Sequence, residues 1–397
     1  MDIENGTFEI VAKTLSCLED ALAEELTALG AKDVKQSKRT VSFKGDKRFL
    51  YKVSLWCRLA TRILVPIKTF SVKSGDELYH HVYQVRWDDY LRLKNTFAIN
   101  AVINFSEFNN SMFVAQKAKD ALVDWFRTKY DKRPSVDVKH PDVRINIHIR
   151  GKQATLSMDA SGEPLSKRGY RTEAGKAPVN EVLAAGILTL CGWDKQMPLV
   201  DGMCGSGTFL IEAAQMARNI APGLSRKKFG FMNWRDYDEN ILREIVQEAQ
   251  ELILPKAEAE IIGSDIDPAR IKEAQANAGR ARVKADIKFS CKDFATLVPP
   301  RGPGVLVINP PYGERMVVAK ISQLYKLIGD ALKANFENYN AYILTSSLKN
   351  IKFFGLRTSQ RIKLFNGPLE CKLLKYEMYK GSRKEKYQTM DDNRDND

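Results

Sequence analysis

The residues best able to do chemistry in this chain are Asn309, Pro310, Pro311 and Tyr312, which follow the apolar run 305–308. Two consecutive prolines fix φ and remove two backbone N–H groups, so the Asn309 amide oxygen and the Pro310 carbonyl can both face one NH2 group as acceptors. Tyr312 adds a flat ring on which a base can stack. An amine conjugated to a purine or pyrimidine is a poor nucleophile, because its lone pair is delocalised into the ring. Two fixed acceptors oppose that delocalisation. They favour the tetrahedral nitrogen reached when an electrophilic methyl is transferred, by orientation and preorganised electrostatics. No strong general base is needed. A rigid turn closing a strand is the plainer reading, and it leaves the Asn and Tyr on either side of the prolines unexplained.

A second group is Asp201-Gly202-Met203-Cys204-Gly205-Ser206-Gly207-Thr208, between a short apolar strand and a helix. Gly205 and Gly207 let the backbone turn tightly, and a helix beginning near Thr208 points amide donors at a ligand. A dinucleotide fingerprint wants a third glycine where Leu210 stands and an acid about 20 residues on, and neither requirement is cleanly met. A P-loop wants a lysine after the glycines, which is missing. A small zwitterionic nucleoside-like ligand remains. The next strand ends in Asp265, placed to accept two hydrogen bonds from ribose hydroxyls, while Asp267 reads as the cap of the helix that Pro268 opens. Beyond the third strand, Asp293 offers an acceptor for an exocyclic amine and Phe294 a ring for adenine; alone these are ordinary loop residues. Cys204 reads as a small packing residue, because methyl transfer to nitrogen needs no enzyme thiol.

These motifs need a frame. At roughly 150 residues per domain, 397 residues make two or three domains, and 44% apolar with 28% charged residues is a mix that buries sizeable cores. The first half alternates in small α+β units. Strands at 8–13, 40–43 and 62–70 with helices at 17–29 and 46–60 make one module. A helix at 77–85, a strand at 96–105, a long helix at 112–130 and a hairpin of 144–150 with 153–158 make a second. From residue 177 onward strands alternate with helices, the signature of a parallel sheet covered on both faces. Its helices are expected at 178–190, 207–218, 241–254, 268–278 and 321–336. Its strands are expected at 199–200, 261–264, 287–290, 304–308 and 341–345, followed by an antiparallel pair at 361–365 and 371–378. The stretch 381–397 is almost devoid of apolar residues and reads as a disordered tail.

Sixty-two Lys+Arg against 49 Asp+Glu give +13, and residues 32–73 hold twelve basic residues against two acids, or +10 of that excess. So lopsided a segment favours a phosphate-contacting surface, with Lys35, Lys38, Arg39 and Lys44 as its named candidates. The longest nearly apolar run, 182–193, is far shorter than the ~20 residues of a spanning helix. The acidic start, Met-Asp-Ile-Glu, is unlike a secretory signal, so a cytoplasmic protein is expected. The six cysteines are scattered, with no C-x-x-C pair and no nearby His, which argues against a disulfide framework and against a metal site.

On these residues the chain resembles class I S-adenosylmethionine-dependent methyltransferases with an Asn-Pro-Pro-Tyr site. More narrowly, it resembles the bacterial THUMP-domain ribosomal RNA guanine-N2 methyltransferases, the group of rRNA large subunit methyltransferase L, in a short form without a fused second methyltransferase. The resemblance spans 8–380. It rests on Lys167-Arg168-Gly169-Tyr170-Arg171, Ala177-Pro178-Val179-Asn180-Glu181, the loop from Asp201 to Thr208, Gly263-Ser264-Asp265-Ile266-Asp267 and Asn309-Pro310-Pro311-Tyr312-Gly313-Glu314-Arg315. It implies an α/β fold. A Rossmann-like class I methyltransferase domain at 165–382, mostly a parallel sheet with a C-terminal antiparallel pair, follows α+β domains: a ferredoxin-like domain at 1–60 and a THUMP RNA-binding domain at 61–160. The tail is 383–397.

The cofactor implied is S-adenosylmethionine, its methionine half on Asp201 and the Gly205/Gly207 turn, its ribose on Asp265 and its adenine on Asp293 and Phe294. Met203, Cys204, Thr208, Ile266 and Asn309 join that contact set, and Asn309, Pro310, Pro311 and Tyr312 surround the target base. Arg168 and Arg171 precede the catalytic domain and have three readings: contacts to RNA phosphates, ordering of the loop over the cofactor, or an interdomain salt bridge. The partner implied is RNA, 23S rRNA or a large-subunit precursor, bound by a monomer. The residues themselves reach amine methylation with a nucleic-acid partner and do not separate guanine N2 from adenine N6; RNA and guanine are what the resemblance adds. A tRNA substrate, a non-catalytic assembly factor and a DNA adenine methyltransferase are the competing readings.

Overall fold

The computed structural model describes residues 6–171, 179–311 and 318–379. Tyr312, the Ala177-Pro178 pair and the expected tail lie outside the described residues. In chain order the first elements are β1 (Phe8–Lys13), α1 (Glu19–Leu29), β2 (Lys32–Ser37), β3 (Thr40–Gly45), α2 (Lys47–Trp56), β4 (Arg62–Ser71), α3 (Gly75–Tyr83), β5 (Thr96–Asn104), α4 (Ser111–Tyr130), β6 (Ser135–Val136), β7 (Val143–Arg150) and β8 (Gln153–Asp159). Then come α5 (Glu181–Leu190), β9 (Leu199–Asp201), α6 (Thr208–Ala217), α7 (Glu239–Glu251), β10 (Ile261–Asp265), α8 (Pro268–Arg280), β11 (Ile287–Cys291), β12 (Gly304–Ile308), α9 (Val318–Asn335), β13 (Tyr339–Thr345), β14 (Gln360–Asn366) and β15 (Leu369–Glu377). They gather into two compact units, Met1–Arg168 with Ala221–Leu252, and Gly169–Ile220 with Ile253–Asp397.

In the first unit the two expected α+β modules share one sheet. Among the described residues its order is β2-β3-β1-β4-β8-β7-β5-β6, and β4 joins the halves by pairing antiparallel with both β1 and β8. Local signals set the helices. Gly30, at φ 106°, stops α1, and the Asp46 carboxylate caps α2 by accepting the Phe49 N–H at 2.7 Å. Strand β2 was not expected, because its Lys-Asp-Val-Lys-Gln-Ser run has a single apolar residue. It is the exposed edge of the sheet, where charge is tolerated and blunts further pairing.

The segment Ala221–Leu252, read from the sequence as part of the α/β half, belongs spatially to the first unit. Apolar packing explains this better than charge. The Phe231 ring stacks on Tyr51 at 4.1 Å and 13°, and Gly223 and Gly230 lie directly on backbone of the first unit. A Cβ at Gly230 would sit 2.4 Å from the Asp159 carbonyl oxygen and 2.7 Å from the Gly162 nitrogen. The Arg226 guanidinium donates to the carbonyls of Ser161, Glu163, Pro164 and Lys167. The exposed pairs Lys47–Asp236 and Arg48–Glu244 add little.

The second unit holds a seven-stranded sheet among the described residues, ordered β11-β10-β9-β12-β13-β15-β14, parallel from β11 to β13 and antiparallel beyond. Central strand β12 is buried throughout, as a strand covered on both faces must be. Leu306, Ile308, Ile343, Phe336 and Phe354 build the core on one side of it. Helix α5 begins at Glu181 under Asn180, whose side chain accepts the Leu183 N–H at 2.8 Å, rather than with the expected proline in its first turn. The chain runs from β9 outward to β10 and β11, then returns to β12 on the other side of β9. The β9/β12 junction is therefore the switch point at which open α/β sheets bind ligands. Replacing Gly230 with Ala should lower stability by roughly 1–3 kcal/mol through overpacking, read as a lower midpoint of thermal unfolding; an unchanged midpoint would mean that Ala221–Leu252 is not seated on β8.

Candidate active site

Strand order brings the candidate residues to one edge of the sheet, in a row of strand ends. Gly263 of β10 lies opposite Asp201 of β9, and Leu306 of β12 lies opposite Val200. Asp265 ends β10 and Asn309 directly follows β12, so both stand at the carboxyl edge of the two strands that flank β9. The loop leaving β9 crosses this row. Its Gly205 N–H donates to Asp265 Oδ2 at 2.9 Å, its Cys204 N–H to the Ser264 carbonyl at 2.9 Å, and its Gly207 N–H back to Cys204 at 2.8 Å. Gly205 and Gly207 both have positive φ, 52° and 84°. Gly207 also backs onto α8, where a Cβ would meet Ala274 at 3.1 Å, whereas a Cβ at Gly205 would meet nothing within 4 Å.

Charge in this loop has a sign preference. Asp201 is 1% exposed, and burial pushes its carboxyl up to about 8, with the nearby Asp265 charge adding to the rise and the Met203 N–H, at 3.2 Å, opposing it. A buried acid beside a second acid favours a cationic guest. Asp265 also accepts the Asp267 N–H at 3.0 Å, so both its oxygens already order the loop, and any ribose contact must use their remaining lone pairs. Asp267 caps α8 through Ala269 N–H at 2.8 Å. Ile266, between the two acids, is 70% exposed and presents an apolar surface at the edge of the row.

Phe294 corrects an expectation. It is 3% exposed, its ring stacked on Phe336 at 5.5 Å, and its edge fills the space over Gly202, where a Cβ would lie 2.3 Å away. It supports the loop from the core rather than offering a face to adenine. Asp293 caps the short turn Phe294–Thr296 through Ala295 N–H at 2.9 Å. Cys204 is buried and its thiol is pushed well up by burial, which leaves no thiolate for nucleophilic attack.

Outside the loop stands a brace that the sequence did not disclose. Asn277 Nδ2 donates to the Ser206 carbonyl at 3.0 Å, Arg280 donates to Asn277 Oδ1, and Arg280 Nε donates to the Tyr170 carbonyl at 2.6 Å. Asn277 and Arg280 are three apart on α8 and share one face, the spacing that could have signalled them. Arg171 belongs to this brace, donating to Thr208 Oγ1 and pairing with Glu181 at 3.2 Å. Of its three readings, loop ordering matches this geometry, and Thr208 directs its hydroxyl to that arginine.

Arg168, also considered for RNA phosphates, is 1% exposed and donates to the carbonyls of Leu165 at 2.8 Å and Arg58 at 2.6 Å. A guanidinium enclosed in this way is structural. The basic run 32–73 is likewise partly consumed within its own unit: Lys44 pairs with Asp33, Lys47 with Asp236, Arg48 with Glu244 and Arg62 with Asp159, while Lys52 and Lys68 donate to carbonyls. Lys35, Lys38 and Arg39 stay exposed on β2 and the turn into β3, with Lys44 beside them.

Asn309 is partly buried, Pro310 buried and Pro311 exposed. Asn309 Oδ1 and Ser206 Oγ are each shielded from water and have no hydrogen-bond partner among the described residues. Unmet acceptors and an acidic loop fit S-adenosylmethionine, whose ammonium and sulfonium are cationic and whose adenosine carries hydroxyls and an amine. Because burial keeps Asp201 neutral, its contribution to stability is full below its ordinary 3.8 and is lost as pH rises towards about 8. A bound cation favours the carboxylate. S-adenosylmethionine affinity should therefore strengthen between pH 6 and 8 by up to roughly tenfold per unit, and Asp201→Asn should flatten that slope; calorimetry at three pH values checks both.

Comparison with known proteins agrees with this geometry. Residues 168–375 match the family described as RMKL-like, methyltransferase domain, residues 72–159 the THUMP domain, and residues 9–64 the RlmL ferredoxin-like domain. A Synechocystis sp. protein named as an RNA methyltransferase, slr0064, is 40% identical over 363 residues, 91% of this chain and 94% of that protein. The ribosomal RNA large subunit methyltransferase K/L of Syntrophotalea carbinolica is 40% identical over 376 residues, 91% of this chain but 52% of its own, so the chain spans about half of that relative. The crystal structure of SMU.472, named as a methyltransferase and complexed with SAH, superposes with a TM-score of 0.85 at 31% identity, covering 95% of this chain and all of that one. With its three domains matched in order, the chain belongs to the RMKL-like methyltransferase family.

Proposed function

We propose that the protein methylates the exocyclic N2 amine of a guanine in 23S rRNA, with S-adenosylmethionine as methyl donor and the target base flipped into the corner formed by Asn309, Pro310, Pro311 and Tyr312. The single observation that carries this reading is Asn309 Oδ1, which is shielded from water and has no hydrogen-bond partner among the described residues, directly after β12 at the carboxyl edge of the sheet. An oxygen left in that state costs about 1–3 kcal/mol, and an incoming N–H relieves it. Pro310 contributes its carbonyl and has no N–H to compete. Together the two oxygens hold both amine hydrogens, turn the nitrogen lone pair out of conjugation and aim it at the methyl carbon. S-adenosylmethionine, when bound, supplies that carbon on a sulfonium. The proton released after transfer is taken up by solvent, in keeping with the lack of any need for a strong base.

Flipping a stacked base costs a few kcal/mol, and stacking on Tyr312 returns about 1–3 of these. Phosphate contacts supply the rest, for which Lys35, Lys38, Arg39 and Lys44 are the proposed residues. In this reading 1–60 and 61–160 serve as RNA-binding domains and 165–382 as the catalytic domain of a cytoplasmic monomer. Asp201, Met203, Gly205, Gly207, Asp265, Ile266 and Asp293 are the proposed cofactor contacts, with Ile266 in place of Phe294 against the adenine. Radiolabelled methyl groups transferred into total cellular RNA should appear as N2-methylguanosine in the large-subunit rRNA fraction. Label in tRNA would redirect the substrate, and label surviving ribonuclease in DNA, or on adenine N6, would overturn the reading.

A further inference from the structure

One face of the first unit's sheet is basic at its β7 end. Along β7 the residues Val143, Ile145, Ile147 and Ile149 are buried, while His148 and Arg150 reach solvent on the opposite face. Register extends that face across the sheet. His148 lies opposite Thr155 and Arg150 opposite Asn104, and through β8 and β4 the same parity reaches Lys13 of β1 and, farther off, Lys44 of β3 with the exposed Glu9 opposite it. Burial and the neighbouring positive charges of Lys13 and Arg150 hold His148 below its ordinary pKa, as expected where cations share a surface.

At the β5 end stands Phe105, 89% exposed and held at φ 50°, a backbone state that a bulky residue rarely adopts. The position is anchored, since the Gly151 N–H donates to the Asn104 carbonyl at 3.1 Å and sets Phe105 beside the turn Arg150-Gly151-Lys152. Both cations of that turn are exposed. The stretch 143–153 has no acid, and 96–110 has only Glu107. An exposed ring beside a turn that carries two exposed cations is what a splayed-out nucleotide requires: a π face for the base and positive charge for the neighbouring phosphates. A paired A-form duplex hides its base faces and cannot use the ring.

We infer that this face binds an unpaired stretch of RNA, one base stacked on Phe105 and the flanking phosphates on Arg150 and Lys152. The inference rests on the RNA-methyltransferase reading and adds where, and in what form, the substrate is gripped. The full chain is titrated, by fluorescence anisotropy, with a single-stranded oligoribonucleotide and with the same sequence in a duplex. Phe105→Ala should weaken single-strand binding about tenfold, leave duplex binding within twofold, and be rescued by Phe105→Trp. Arg150→Ala with Lys152→Ala should lower the logarithmic salt slope by about 1.4 for a single strand. Unchanged single-strand affinity in Phe105→Ala, an equal loss for duplex, or loss only of self-association would each overturn the proposal. These affinities are read without turnover, so absence of methyl transfer by the unaltered protein would sink the proposed reaction and leave the RNA grip separately measured.

Discussion

The bond from the Gly205 amide to the Asp265 carboxylate sets the geometry of the second unit's crevice. It ties the loop of one strand to the end of the next and fixes which way the glycine turn opens. Parallel strands with a reversal of order leave such an opening at their carboxyl edge, and the packing around it explains the residue types found there. Gly202 is small because Phe294 lies against it, and Gly207 because Ala274 does. Asp201 is enclosed, with no cation paired to it among the described residues. Burial keeps that carboxyl neutral until a positively charged ligand favours its ionised form, which is why the same residues that look costly for folding look apt for binding.

Asn309 carries the same tension on the neighbouring strand. Its amide oxygen is enclosed and has no partner among the described residues, and the two prolines that follow bring no N–H to it. Folding alone would favour an apolar side chain at that position. The brace from Tyr170 through Arg280 and Asn277 to Ser206, with Arg171 on Thr208, holds the loop from its far side and adds to the hold of Asp265 on Gly205. Rigid support behind a polar site is what preorganised catalysis requires.

Much of this was legible in the sequence, and the misses have physical causes. The glycine loop, the acid ending the second strand and the diproline corner announced themselves because their types break local rules for a strand or a helix. Alternating strands and helices from residue 177 onward gave the parallel sheet, since periodicity reports burial directly. Long-range partners were not readable. Whether Phe294 faces a ligand or the core depends on Phe336, forty-two residues on, and whether Arg168 meets a phosphate or a carbonyl depends on Arg58. Strand β2 was missed because an exposed edge strand needs no apolar alternation. The placement of Ala221–Leu252 with the first unit turns on two glycines meeting backbone far away in the chain, which no local pattern encodes.

The first unit shows how net charge misleads when read as a surface. Much of the basic excess of 32–73 is matched within the unit by acids or carbonyls, and the exposed cations that remain sit on a sheet that the two N-terminal modules build together. The central claim, however, concerns the other unit and one oxygen atom in it. The most direct measurement is the single-turnover rate of methyl transfer to RNA by Asn309→Ala, with enzyme in excess and with S-adenosylmethionine and RNA affinities measured alongside. A fall of roughly 100-fold or more in that rate, with both affinities close to those of the unaltered protein, is the expected result. A rate within a few-fold of the unaltered protein would contradict the account.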